Sequence, residues 1–289
     1  LETLVGMFGI GNLPTGDKDP FALRRHALGV VRMLVEKDLP LDLTALLAAA
    51  VPAFGTLISG FEDLAGHGGK QVGGMTPANL TRVEREIYSE NGGSELDQVA
   101  AEIYKPTQMI EPNIRGIAKG LDLSNFIYDR ISGSLREQGY SAQQVDAVLA
   151  LRPQRLADIA RRLEAVRAFA TLPEAPALAA ANKRVGNILK KADGEVLAQV
   201  NPALLQEAAE QALAAALAQV APQADAAFAA GDYTASLQAL AALRTPVDAF
   251  FDDVMVNAED PALKANRLGL LKTLHEAMNR VADLGRLAA

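Results

Sequence analysis

The sequence predicts an all-α protein, a C-terminal antiparallel helical bundle preceded by a smaller helical segment. Three observations carry this expectation. Apolar residues make up 49% of the 289 residues and recur at helical spacing, so the chain can bury a core along amphipathic helices. Long stretches rich in Ala, Leu, Glu and Arg are cut by Pro, Gly and capping residues into pieces of about 12 to 20 residues, the ordinary length of bundle helices joined by short loops. Aromatic residues are only 5% of the chain and Trp is absent, which disfavours an aromatic-rich β-sandwich.

The elements follow in order. In residues 1–59, Asp19 before Pro20 puts a side-chain acceptor at an N-cap and a proline at the first helical position, so a helix is expected to start there. Leu23, Ala27, Val30, Val31, Leu34 and Val35 then form its apolar face. The preceding loop, GIGNLPTGDKDP, fits neither G-x-G-x-x-G nor the Walker pattern, so it is not read as a phosphate cradle. Residues 60–124 form a Gly-rich insertion or small subdomain, with short helices expected over Pro77 to Ser89 and Ser94 to Tyr104. From Asn125 to Ala289 the pattern is helical throughout, with breaks at Gly139 to Ser141, Pro153, Pro173 to Pro176, Asn201-Pro202, Pro222, Gly231-Asp232, Thr245-Pro246 and Asp260-Pro261.

Composition also bounds function. The sequence contains no Cys, which removes a disulfide scaffold, a thiolate zinc site and a cysteine nucleophile together. Its three His lie apart and without a nucleophile or carboxylate pattern, so no catalytic residue and no metal ligand is assigned. The longest apolar stretches are interrupted and fall short of the ~20 residues that span a bilayer, so no membrane association is expected. The first residues lack a basic segment and an initiator Met, which reads as a piece of a longer cytoplasmic chain, not a signal peptide. A formal charge of −7 argues against a generic DNA coat, because duplex binding requires many phosphate-neutralising cations.

The average charge conceals an asymmetry. Arg152 to Lys191 holds nine Lys/Arg against three acids, a net of +6, whereas Ala192 to Ala262 holds eleven acids and one Arg, a net of −10. A polyanion-facing surface is therefore expected in the basic block alone. On a helix around Lys183, the side chains of Lys183, Arg184, Asn187, Lys190 and Lys191 share about a third of the circumference, opposite Val185, Ile188 and Leu189. Cations suit phosphate oxygens, and an amide can reach a base edge or a 2′-hydroxyl. The alternative is a solvated face whose terminal lysines complement the helix dipole. Arg152, Arg155 and Arg162, with Arg161 adjacent, have spacing that would align them along one further helix face. Phe250 and Phe251 recur with Val247 and Val254 at helical spacing and are read as core, although aromatic rings can stack on unpaired bases. The acidic run Asp248, Asp252, Asp253, Glu259 and Asp260 is read as a solvated face or a subunit contact.

Three long motifs carry a resemblance: FGIGNLPTGDKDPFALRRHALGVVRMLVEKDLPLDL (Phe8 to Leu43), ANKRVGNILKK (Ala181 to Lys191) and PVDAFFDDVMVNAEDPALKANRLGLL (Pro246 to Leu271). In this order they closely resemble the C-terminal part of the beta subunits of bacterial glycyl-tRNA synthetases. The last two resemble the helical anticodon-binding module named for a D-A-L-R motif, to which the run Asp146-Ala147-Val148-Leu149 is related. The resemblance implies that residues 1–59 end a degenerate HD-like region, here without a His-Asp doublet, and that 125–289 form a DALR-type anticodon-binding bundle. It leaves 60–124 unmatched. It further implies a glycine-tRNA ligase in which this chain binds glycine-accepting tRNA through the basic block. A partner alpha subunit, in an alpha2beta2 tetramer, would use ATP and Mg, so that no cofactor belongs to this chain and the chain alone makes no bond. The alternatives are a structural subunit-interaction module without RNA contact, or the related module of an arginyl-tRNA synthetase.

Overall fold

The computed structural model describes residues 1–9, 12–50 and 122–288, and the helices expected at 77–89 and 94–104 lie outside them. The described residues are helical and contain no β-sheet. None of their helices is long and apolar enough to cross a membrane. The chain divides into two compact units, Leu1–Ile131 with Gln154–Leu156, and Ser132–Pro153 with Ala157–Ala289.

In the first unit α1 (Glu2–Gly9) packs on α2 (Leu23–Glu36) and α3 (Leu43–Ala50). Leu4, Val5, Leu23, Ala27 and Leu43 are buried, as is Ile127 in the first part of α4 (Asp122–Glu137), and the Phe8 and Phe126 rings lie 5.1 Å apart. The α2 face matches the expected spacing, but its start does not. Ala22 adopts a left-handed conformation (φ 52°), so the helix begins at Leu23 instead of Pro20. Asp19 still supplies the cap, accepting from the amides of Leu23 (2.7 Å) and Arg24 (3.0 Å). At α3 the segment 154–156 takes the capping role. The Gln154 carbonyl accepts from the Leu43 amide at 3.0 Å, and its side-chain oxygen accepts from the Thr44 hydroxyl at 2.7 Å.

The second unit is a bundle of α5 (Ala142–Leu149), α6 (Asp158–Ala170), α7 (Ala175–Lys190), α8 (Ala208–Ala229), α9 (Tyr233–Ala239), α10 (Arg244–Asp253) and α11 (Pro261–Met278), closed by a 3₁₀ turn at Leu284–Leu287. Local chemistry sets the starts. Ser141 and Gln144 form a reciprocal capping box, Asp232 caps α9, and Asp260 caps α11 with Pro261 in the first turn, where its missing N–H removes no helical hydrogen bond. Pro222 does not break the chain as its residue type suggested. It sits exposed inside α8, and the buried Val220 and Ala224 on either side keep the helix continuous by packing, a tertiary contribution that offsets the ~3 kcal/mol penalty of an interior proline.

The long α8 packs on α9, α10 and α11. At its start lies a fully buried carboxylate, Glu210, paired with the buried Arg267 of α11. Arg267 Nε donates to Glu210 Oε1, and its Nη1 donates to the Met255 carbonyl at 2.7 Å. Glu210 Oε2 accepts from the amides of Gln206 (2.8 Å) and Glu207 (2.9 Å). Burial pushes the Glu210 carboxyl up, but the Arg267 hydrogen bond and these amides outweigh it and hold it below its ordinary value. Nearby, Asn266 exchanges hydrogen bonds with the backbone of Asn201 (2.7 and 3.2 Å). A Cβ on Gly269 would lie 2.1 Å from the Gln199 carbonyl oxygen, so this position requires glycine.

Glu210→Gln leaves Arg267 charged, buried and without its counter-charge, and is expected to cost about 3–5 kcal/mol in urea unfolding. A double variant with apolar residues, Glu210→Leu with Arg267→Met, is expected to lose less than the sum of the single replacements. Because the folded-state Glu210 value is lowered, its contribution is full above the unfolded value of about 4.3 and fades as pH falls through the folded value. The loss of stability on acidification should therefore be shallower in Glu210→Gln. Gly269→Ala forces backbone atoms apart and should lower stability by at least ~1–3 kcal/mol, read by thermal melting.

Candidate nucleic-acid interface

The basic block folds as two helices that treat their cations in opposite ways. On α7, Leu178, Ala179 and Val185 face the core. Asn182, buried beside them, exchanges side-chain amide hydrogen bonds with Asn279 at 2.9 and 3.0 Å. Gly186 lets the half-buried His275 ring approach to within 3.5 Å of where a Cβ would stand, and Gly285 of the closing turn places its own Cβ position 3.2 Å from the Lys183 Cα. Burial first, then Lys272, pushes the His275 imidazole below its ordinary value against the opposing pull of Asp283 and Glu276. These contacts clamp α7 from behind.

The opposite side is open. Lys183, Arg184, Asn187, Lys190 and Lys191 are all exposed, as their spacing predicted. Among the described residues no carboxylate pairs with any of these four cations. A surface depression of about 410 Å³ runs along the face, lined by Ala180, Lys183, Arg184, Asn187, Ile188 and Lys191. Ile188 is half-buried and shares this depression with the cations instead of standing wholly on the core side.

The arginines before α7 differ from the expected single helix face. Residues 150–157 are not helical: Arg152 has φ 48° in the connection after α5, and Arg155 lies in the segment that caps α3, paired with Asp38 at 3.0 Å. Arg152 and Arg155 therefore fall in different units. Arg161 is on α6 and pairs with Asp158. Arg162 is turned inward and only 9% exposed, donating from Nη1 to the carbonyls of Arg280 (3.1 Å) and Val281 (3.0 Å). Its guanidinium stands 5.0 Å from the Tyr233 ring and 5.3 Å from that of Phe228, an arrangement of structural cation–π contacts. Tyr140 donates to Glu164 at 2.7 Å, and this bond, together with burial, raises its phenol above the ordinary value. Arg162 thus ties α6 to α8, α9 and the residues after α11, whereas the α7 cations stay exposed.

Two residues outside the expected set complete the arrangement. Asn182, not among the residues expected from the sequence, ties α7 to Asn279, just beyond α11. Phe251 of α10 is half-buried, while Phe250 is fully buried. The two rings meet nearly edge to face at 5.6 Å and 81°, and the Arg184 guanidinium carbon sits 4.2 Å from the Phe251 centroid. Helical spacing placed both rings on the apolar side of α10, and only the partner helix decides which is covered. The acidic residues Asp248, Asp252 and Asp253 line a separate depression with Glu174 and Arg244. Among the described residues no group of three or more His, Asp or Glu is arranged to hold a metal ion.

Known proteins can now be set beside this geometry. The family model described as glycyl-tRNA synthetase beta subunit matches residues 1–150, and so includes 60–124, which no motif had connected to a family. The DALR anticodon binding domain model matches residues 178–284. That match contains α7 from Leu178 onward, α10 and α11, while Asp146-Ala147-Val148-Leu149 lies before it. Over its whole length the chain is 63% identical to the glycine--tRNA ligase beta subunit of Delftia acidovorans, 60% to that of Leptothrix cholodnii and 57% to that of Dechloromonas aromatica. It spans 33%, 32% and 33% of the length of these relatives. With the beta subunit model covering more than half of its residues, the chain belongs to the glycyl-tRNA synthetase beta subunit family.

Proposed function

We propose that the second unit is a tRNA-recognition module and that the exposed face of α7 is its phosphate-contacting surface. The observation that supports this most is that Lys183, Arg184, Lys190 and Lys191 are exposed, share one face and lack carboxylate partners among the described residues, within the stretch matched by an anticodon-binding model. Cations left unpaired on a rigid helix are ready to displace counterions from a polyanion without first breaking ion pairs. Asn187 adds a neutral amide in the same depression, suited to a base edge or a 2′-hydroxyl. Of the α6 set, Arg162 is removed from this surface by its burial.

In the whole ligase, this module would hold the anticodon end of glycine-accepting tRNA and so orient the acceptor end. Its contribution to catalysis would be positioning. ATP, Mg and glycine would belong to a partner alpha subunit in an alpha2beta2 assembly in the cytoplasm. This chain would supply no bond-making group.

Two measurements check the reading. In a full-length beta subunit, replacing Lys183, Lys190 or Lys191 singly by Ala should weaken binding of glycine tRNA and lower the logarithmic salt slope by up to ~0.7–0.9 per lost phosphate contact, whereas Asn187→Ala should change discrimination between RNAs and leave the slope nearly intact. Wild-type affinity and slope in every variant would assign α7 to a solvated or subunit-contacting face. Purified chain free of any alpha subunit is expected to show no glycine-dependent pyrophosphate exchange; measurable exchange would contradict the positioning role.

A further inference from the structure

We propose that Phe251 and Arg184 form a shelf on which an unpaired RNA base stacks, with Arg184 acting mainly as a stacking surface and not as a fourth phosphate contact. The inference rests on reading α7 as the RNA-binding face. It departs from the expectation that all four α7 cations act alike, and it is carried by the way one of them is placed.

Among the described residues Arg184 alone of the four sits over an aromatic ring, 4.2 Å from the Phe251 centroid. A guanidinium is planar and weakly hydrated, so it stacks where an ammonium would remain solvated. One face of the guanidinium is occupied by the ring, and the residue is exposed, so the group remains accessible from the solvent side. The ring beneath is held in place, because fully buried Phe250 meets it at 81°. Phe251 is itself half-buried, and the Arg184 stacked on it lines the cationic depression, so a base entering there can cover the outer face of the guanidinium.

The depression beside the shelf has the remaining features a base needs. Ala180 and Ile188 give it apolar walls, and Asn187, one helical turn beyond Arg184, supplies an amide with donors and an acceptor for a base edge. Lys183 and Lys191 bring charge to the same depression for the flanking phosphates. A base within a duplex has both faces covered by its neighbours, so the shelf favours single-stranded loops over helical RNA.

The test uses a full-length beta subunit and two RNA probes, a hairpin with the unpaired anticodon loop of glycine tRNA and a blunt duplex of the same stem. Phe251→Leu keeps apolar bulk and charge but removes the ring; Arg184→Lys keeps charge but removes the plane. Each is expected to weaken hairpin binding about tenfold, the order of one lost stacked base, with duplex binding and the salt slope unchanged, and Phe251→Tyr should retain wild-type binding. If Phe251→Leu unfolds by circular dichroism, Arg184→Lys decides. Undiminished hairpin binding by the folded variants overturns the shelf, as does an equal loss on hairpin and duplex or a reduced salt slope. The Lys190→Ala variant separates the two levels. If it, or the Lys183→Ala or Lys191→Ala variant, weakens binding while the shelf variants do not, only the shelf is refuted; if all three also bind as wild type, the RNA-face reading fails as well.

Discussion

The buried pair between Glu210 and Arg267 is the constraint from which the geometry of the second unit follows. Arg267 is in α11, Glu210 opens α8, and the Met255 carbonyl that Arg267 also holds lies in the chain leaving α10. One guanidinium therefore fixes the mutual placement of three segments. A charge withdrawn from water in this way is tolerated only when every nearby donor and acceptor is engaged, and here two backbone amides complete the carboxylate. The consequence reaches the candidate interface along two routes. Through α10 it places Phe251 beneath Arg184, and through α11 and the Asn279 that follows it reaches Asn182 at the back of α7.

The contrast between α6 and α7 shows how one charge block can serve two purposes. Arg161 and Arg162 meet a buried aspartate, backbone carbonyls and aromatic rings, because α6 packs against α9. Arg162 is thereby withdrawn from solvent, whereas Arg161 remains exposed. The α7 helix is held by apolar residues, two glycine approaches and an asparagine pair, and of its cations Arg184, over the Phe251 ring, contacts another helix. Lys183, Lys190 and Lys191 stand exposed, without a carboxylate partner among the described residues. Net charge over Arg152 to Lys191 sums both kinds and so overstates the cationic surface of the folded protein.

What was legible in the sequence was local. The α2 core spacing, the Ser141, Asp232 and Asp260 caps and the exposed stripe of α7 all follow from periodicity or from hydrogen bonds between near neighbours, which need no knowledge of the fold. The departures occur where a distant partner decides. Pro222 stays helical because burial on both sides outweighs a residue preference. Arg155 leaves the helical register because its segment caps α3, more than a hundred residues earlier. Phe250 and Phe251 are equivalent in spacing and are separated only by the helix that covers one of them.

The central claim is that the open face of α7 touches tRNA. Ultraviolet cross-linking of glycine tRNA to a full-length beta subunit, followed by mass spectrometry of the cross-linked peptides, addresses it without any substitution. Cross-links within residues 180–191, together with Phe251, are the expected result. Cross-links confined to other parts of the bundle, with 180–191 unmodified, would contradict the account.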